Sequence, residues 1–452
     1  MTQTSPSSEP AAADACEVLV IGGGPGGSTA AALLAAQGRR VVLLEKAHHP
    51  RFHIGESLLP ANVALFERLG VREQVEAIGM PKWGVEFVSP KHAHRSFVEF
   101  GHAWDKGMPM AWQVRRSELD ALLFSHAAAR GAQALQGCQV RKVDFDAEGA
   151  TVHAVHDDGA MRRWRARFVV DASGRDTLLA QQFSDKRKNA RHNSAAIFGH
   201  FTGAQRLQGA KVEGNISIFW FAHGWFWFIP LADGTTSVGA TCWPHYLKSR
   251  SKPLRDFFLD TIALAPPLAA RLKHAQLVDD KVHATGNYSY SASRATGERW
   301  LMLGDAFTFI DPVFSSGVYL AMANAFAAVD VVTAALDRPP AAAAARRRYE
   351  RHIRRGPRTF SWFIYRMTNP TMRDLFMRPS NVLRSKEAVL SVLAGDVYGG
   401  SPIGPSLGFF KLVYGIGALA RWRSSWAAWQ ARRRNIRDVG ALAGENVLGR
   451  TP

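Results

Sequence analysis

The chain has 452 residues, 47% of them hydrophobic, and its 56 Lys and Arg against 38 Asp and Glu give a formal net charge of +18. That apolar content can bury a large core and excludes a disordered chain, and the length corresponds to about two to three domains. Cys16, Cys138 and Cys242 are too few and too far apart for a disulfide framework or a zinc site, and read as buried thiols.

Residues 1–15 carry neither a basic nor an apolar signal segment, so they read as a disordered leader and predict a cytoplasmic protein. Glu17 to Ile21 is a strand-forming run that ends in Gly22-Gly23-Gly24-Pro25-Gly26-Gly27. Ser28 to Gln37 is helical, Gly38 stops the helix, and Arg40 to Leu44 forms the next strand. Gly22, Gly24 and Gly27 have the spacing that gives a tight turn, a bare backbone for a pyrophosphate and close helix–strand contact. Glu45 ends the second strand, where a carboxylate can hold ribose hydroxyls. In order, these features predict a dinucleotide site. His48, His49 and His53 follow without metal-ligand spacing, and no metal is expected.

Further along, Pro60 to Leu69 reads as a helix and Val85 to Phe100 as strands. Arg116 and Asp120, four apart, share one face of a helix running to about Arg130, and Arg116 is a candidate cofactor contact. Val140 to Val155 and Arg163 to Val170 read as strands, the latter leading into Asp171-Ala172-Ser173-Gly174-Arg175. Ala195 to Thr241 is strand-rich, with turns at His223-Gly224 and Asp233-Gly234, and predicts an antiparallel sheet. Within it lies Trp225-Phe226-Trp227-Phe228-Ile229-Pro230, whose alternation also fits simple core packing. Trp300 to Leu303 is a buried strand closing in Gly304-Asp305-Ala306. A Ser315-Ser316-Gly317 turn then leads into a helix, Val318 to Leu336, that Pro339-Pro340 punctuates.

Residues 341–452 hold 20 Lys and Arg against 6 Asp and Glu, a basic, mostly helical region. Such charge can attract an anionic membrane face or an acidic protein, and with no zinc finger, RNA-recognition or helix-turn-helix pattern nucleic acid is not expected. No run reaches the roughly 18 apolar residues that span a bilayer. The nearest, Leu407 to Ala420, is broken by Lys411 and reads as a helix packed on the body in preference to one lying on a membrane surface.

The glycine fingerprint, Asp171-Ala172-Ser173-Gly174 and Gly304-Asp305-Ala306 together resemble the two-domain FAD-dependent monooxygenases of the hydroxybenzoate hydroxylase type. The resemblance narrows to the flavin-dependent halogenases, in particular the phenol and pyrrole branch, at four places. These are Gly55 to Pro60 (Gly-Glu-Ser-Leu-Leu-Pro), Lys82-Trp83-Gly84, Trp225 to Pro230, and Asp311 to Val318.

It implies an α/β fold: a Rossmann-like FAD-binding domain of the glutathione-reductase type, an inserted antiparallel-sheet substrate domain, and a C-terminal helical extension. Residues 16–84, 105–185 and 286–340 are assigned to the first, 85–104 and 186–285 to the second, and 341–452 to the third. It further implies reduced FAD from a separate flavin reductase, with O2 oxidising chloride or bromide to a hypohalous species in a secondary-metabolite pathway. Ser316 and Gly317 would seat the halide, Gly317 and Val318 would meet the flavin, and Asp305 would hold its ribityl chain. Lys82 would pass halogen to an electron-rich aromatic, free or tethered to an acidic carrier protein. Trp225, Trp227, Ile229 and Pro230 would wall that aromatic off from the flavin.

The glutamate that tryptophan halogenases carry before the Ser/Thr-Gly pair is matched here by Phe314, which points away from an unactivated indole. Two other readings stay open: an FAD-dependent hydroxylase or geranylgeranyl-reductase-like enzyme, and a catalytically silent flavoprotein that docks a carrier protein or a membrane.

Overall fold

The computed structural model describes residues 14–286 and 289–441. Of the expected leader, residues 1–13 lie outside the described residues, and Asp14 and Ala15 already belong to the first strand, Asp14–Ile21. Its apolar run is buried on both faces, as the centre of a parallel sheet requires. Val41–Leu44 and Met161–Asp171 flank it in parallel, and Trp300–Met302 pairs in parallel with Met161–Asp171.

Register positions the site. Ile21 lies opposite both Leu44 and Asp171, and Asp171 lies opposite Met302. The chain therefore leaves four strands at one level, bringing Gly22, Glu45, Ala172 and Leu303 to the carboxyl edge, where ligands of open α/β sheets bind. The helix Pro25–Ala35 rises from that edge.

A second, eight-stranded sheet is mainly antiparallel, and Gly84–Val88 joins it by pairing in parallel with Ile216–Phe221. Its central strand, Gly224–Pro230, is buried on both faces. Period-two alternation sends Trp225, Trp227 and Ile229 into the core shared with the first sheet. Phe226 and Phe228 go to a separate core with Phe219, Phe221 and Val238.

Lys82 ends its own short strand, Met80–Lys82, paired with Ala111–Gln113, and does not open the following one. Val140 to Val155 is two strands, Cys138–Phe145 and Ala150–His156, because Asp146 caps the turn between them through the N–H groups of Glu148 and Gly149. Residues 244–271 form three short helices, Pro244–Lys248, Leu254–Ala263 and Pro266–Arg271.

Gly317–Asp337 is long and apolar enough to cross a membrane by length and composition, where the sequence was expected to offer no such run. It packs between Pro25–Ala35 and Pro339–Ile364, and 67% of its most apolar window is buried. Leu407 to Ala420, expected to pack on the body, lies in a helix, Gly404–Ala420, that buries only Leu407 and Phe410.

Candidate functional site

A cavity of about 620 Å³ runs along the carboxyl edge of the first sheet and reaches the second. At one end the glycines divide two tasks. Gly22 has φ of +100°, and a Cβ there would sit 2.4 Å from the Ala172 carbonyl oxygen; one on Gly27 would sit 1.9 Å from the Gly22 oxygen. Both positions are closed by backbone packing. Gly24 instead faces open space, with only the Arg51 guanidinium at 3.8 Å from where a Cβ would stand, and it is the N-cap of Pro25–Ala35. Bare backbone and unpaired N–H groups at a helix N-terminus suit a pyrophosphate.

Glu45 is buried beside this point. Its carboxylate accepts from the N–H groups of Gly23 at 2.7 Å and Ala47 at 3.0 Å. Arg51 lies 3.4 Å from Glu45 and 3.4 Å from Asp120, while Arg116 holds Asp120 through two hydrogen bonds of 2.8 and 3.0 Å. Burial pushes the Asp120 carboxyl up, and the adjacent Arg116 guanidinium overrides it, so the group is held below its ordinary range. Arg116 also donates to the Ile54 carbonyl at 3.0 Å, which fixes the loop before Gly55.

In the middle of the cavity, Asp305 sits on the short turn Gly304–Ala306. Burial raises its carboxyl to about 6, opposed by the charges of Arg175 and Arg116. Arg175 is anchored on Thr285 and the Gly286 carbonyl, each at 2.7 Å. Ser315, Gly317 and Val318 line the same stretch, and a Cβ on Gly317 would meet nothing within 4 Å. Ser316, expected to face the halide, is buried as the N-cap of Gly317–Asp337 and does not line the cavity. Ser315 faces it because its φ of +56° turns the chain there.

The far end is closed by Trp225, Trp227 and Ile229. The two indoles stand 6.0 Å apart at 53°, and Trp227 donates to Ser237 Oγ at 3.1 Å. A Cβ at Gly239, on the neighbouring strand, would lie 2.2 Å from the Trp227 ring, so glycine there is what lets the indole lie flat. Pro230 is buried but lies outside the cavity lining.

Lys82 is 1% exposed and does not line this cavity. Its ammonium donates to Ser57 Oγ and the Leu58 carbonyl, each at 2.9 Å, and lies 5.2 Å from the centre of the Phe100 ring. No carboxylate among the described residues pairs with it, and burial pushes it down to about 7. Ser57 does line the cavity, so one side chain separates the lysine from it. The residue before, Glu56, accepts a 2.7 Å hydrogen bond from His200, and both are buried.

The structure thus brings Gly22, Gly24, Glu45, Arg116, Asp305, Gly317, Val318, Trp225, Trp227 and Ile229 to one cavity, with Gly27 supporting its floor and Lys82 behind its wall. Arg51, Glu56, Ser57, Arg175 and Ser315 join them unanticipated. Ser57 and Ser315 stand inside the quoted motifs; no sequence signal marks Arg51 or His200 as a partner. Of the histidines before Gly55, His48 meets Asp157 and His53 the carbonyl of its neighbour Ile54.

The cavity fits FAD. An open glycine position at a helix N-terminus would receive the pyrophosphate, and the buried Glu45 carboxylate and the half-buried Asp305 carboxylate would take hydroxyls on either side. Arg51 Nε and Glu56 Oε2, both on the lining residues, have no hydrogen-bond partner among the described residues.

The family described as FAD binding domain matches residues 15–353. A flavin-dependent halogenase of Armillaria mellea is 34% identical over 345 residues, covering 71% of this chain and 68% of that protein. A tryptophan 2-halogenase of Chondromyces crocatus is 31% identical, over 75% of this chain and 66% of its own length. A 1H-pyrrole-2-carbonyl-peptidyl-carrier-protein chlorinase of Pseudomonas fluorescens is 28% identical, over 85% and 90%. Among solved structures, the myxobacterial chondrochloren halogenase superposes with a TM-score of 0.75 at 30% identity, over 90% of this chain and 97% of that one. The α/β fold, the FAD-shaped cavity and these matches agree: the chain belongs to the flavin-dependent halogenase family, oxidoreductase-type enzymes that use FAD.

Proposed function

We propose that the protein uses reduced FAD, O2 and chloride or bromide to halogenate an electron-rich aromatic, with Lys82 as the group that handles the activated halogen. Bound reduced FAD supplies two electrons to O2, which takes two more from halide and ends as hypohalous acid and water. The chain's own residues would then do four things. The first turn of Gly317–Asp337 offers N–H groups without helical partners, at Gly317 and Val318, as a seat for the halide anion. Asp305 accepts ribityl hydroxyls. Trp225, Trp227 and Ile229 keep an organic substrate off the flavin while leaving a path for a small neutral oxidant. Lys82 meets that oxidant through Ser57.

The observation that carries this reading is the placement of Lys82. It is buried, uncompensated by any described carboxylate, and one hydrogen bond behind the cavity wall. An ammonium held near neutrality donates a proton to hypohalous oxygen or presents a free amine to the halogen. Either route needs a lysine that a bulk solvent position would not supply.

Phe314, packed against Phe360 and Phe363 at 6.2 and 5.9 Å, occupies the place where a carboxylate could serve as ring base. This favours a phenol or pyrrole, whose own heteroatom supplies electron density, over an unactivated indole. The chlorinase relative named for a carrier-bound pyrrole supports a substrate delivered on an acidic carrier protein. The test supplies reduced FAD, O2 and each halide to free and carrier-bound phenols and pyrroles, with mass spectrometry as readout. Halogenated product is expected, and oxygenated product that forms without halide would overturn the reading.

A further inference from the structure

Outside the flavin cavity, the helices Gly404–Ala420 and Trp422–Ala441 leave a large apolar face uncovered among the described residues. Leu412, Ile416 and Leu419 are 59%, 59% and 75% exposed, and Trp422, Trp426 and Trp429 are 58%, 54% and 49% exposed. Each set has the i, i+4, i+7 spacing of one helical face. The short turn Val382–Arg384 packs on the first of these helices and adds Val382 and Leu383, both more than half exposed. Eight large apolar side chains in one neighbourhood exceed what scattered surface hydrophobics explain.

Beside them lies a cleft of about 1140 Å³, between the strand Arg187–Lys188, the helix Pro339–Ile364 and the helix Trp422–Ala441. Its lining holds eight Lys and Arg and no Asp or Glu. Six of these cations, including Arg358, Arg366, Arg432 and Arg433, are in no ion pair with a described carboxylate. Several are nonetheless held in place. Arg366 lies 4.4 Å over the Trp362 ring, Arg432 lies 4.8 Å over Tyr365 and donates to the carbonyls of Tyr365 and Arg191, and Arg433 lies 4.5 Å over Trp429. Burial lowers the Arg432 guanidinium to about 10, the mark of a cation short of an anion. Forks pre-set on aromatic faces, with N–H groups to spare, match phosphate oxygens.

Trp429 lines the cleft and also belongs to the exposed tryptophan face of its helix, so the cleft and that face are continuous. A soluble phosphate would use the cleft alone and leave the aliphatic and tryptophan side chains in water. We propose that this face docks on an anionic phospholipid surface, with the tryptophans and aliphatics in the interfacial layer and the arginine cleft on the lipid phosphates. Tryptophan at the headgroup level, aliphatics below it and arginine on phosphate are the composition of an interfacial helix pair. The proposal is independent of which aromatic the enzyme halogenates.

The test is flotation of the full-length, FAD-loaded protein with vesicles of phosphatidylcholine alone or mixed with phosphatidylglycerol. Binding to the mixed vesicles only is expected. Arg358→Glu with Arg433→Glu, both exposed positions, should weaken it by about 100-fold, and raised salt should do the same. Trp422→Ser with Trp426→Ser should weaken it by at least about tenfold while FAD affinity and melting temperature stay as in the wild type. Indole emission should shift to the blue and be quenched by lipids spin-labelled near the headgroup. No binding to the mixed vesicles would overturn the proposal. So would binding that soluble pyrophosphate or a nucleotide abolishes while the tryptophan variant binds normally, or self-association that the tryptophan variant alone prevents.

Discussion

Lys82 Nζ donates a 2.9 Å hydrogen bond to Ser57 Oγ, and Ser57 is the only one of the two that lines the flavin cavity. The lysine is therefore screened from the flavin yet joined to its chamber by one hydroxyl. Ser57→Ala removes that link and leaves the Leu58 carbonyl as the remaining hydrogen-bond acceptor of the ammonium. A hydrogen bond to a charged group is worth about 1.5–3 kcal/mol, so halogen transfer should fall by roughly 10- to 100-fold. FAD affinity should change little, and steady-state kinetics together with a flavin titration separate the two.

Lys82 also sets a pH dependence of stability. Its folded value is about 7 against 10.5 for the free group. Between those values the unfolded chain holds a proton that the folded one has released, so stability rises with pH across the window and carries the full burial penalty below it. Lys82→Met removes the penalty. The variant should melt above the wild type below about pH 7, by an amount on the order of a few kcal/mol, and the gap should close as pH rises through the window. A gap that is flat with pH would show that the lysine is not held near neutrality.

Gly239 controls the tryptophan wall without itself lining the cavity. Its missing Cβ would lie 2.2 Å from the Trp227 ring, and Val adds more. Gly239→Val should displace the indole into the flavin space, weakening FAD binding and lowering stability by about 1–3 kcal/mol as overpacking does. Trp227→Ala acts in the opposite sense by opening the wall. It should lower the yield of halogenated product per flavin oxidised, with the difference appearing as hydrogen peroxide or hydroxylated aromatic.

Asp305 predicts how flavin binding follows pH. Burial raises its carboxyl from 3.8 to about 6. Without flavin, the folded protein holds a proton in that window that the unfolded chain has lost, so its stability falls as pH rises through it. The ionised carboxylate is the form that accepts two hydroxyls, so FAD affinity should drop as pH falls below about 6. Asp305→Asn should bind FAD about tenfold more weakly and lose that pH dependence, as flavin fluorescence titrations at several pH values would read.

How much of this could be read from the residues depends on whether the signal is local. The glycines at 22, 24 and 27 were legible because backbone packing around Ala172 and Gly22 tolerates nothing larger at two of them. The alternation of Trp225, Trp227 and Ile229 was legible because a strand has period two. Which of two adjacent serines faces the cavity was not, since the left-handed turn at Ser315 decides it. His200 meets Glu56 across 144 positions, and no local pattern announces a contact set by sheet topology. The helices at 244–271 are short and broken by Ser and Pro, too brief for periodicity to emerge.

The step on which the proposed function turns is halogen passing from the flavin to Lys82 behind a wall that the organic substrate does not cross. Its most direct test compares wild type and Lys82→Met, each loaded with reduced FAD and exposed to O2 and bromide, with a diffusible hypohalous acid trap in one arm and the aromatic substrate in the other. Both proteins should brominate the trap, while only the wild type should brominate the substrate at its own rate and position. Equal substrate bromination by the two, or oxygenated product from either in the absence of halide, would contradict the proposed function.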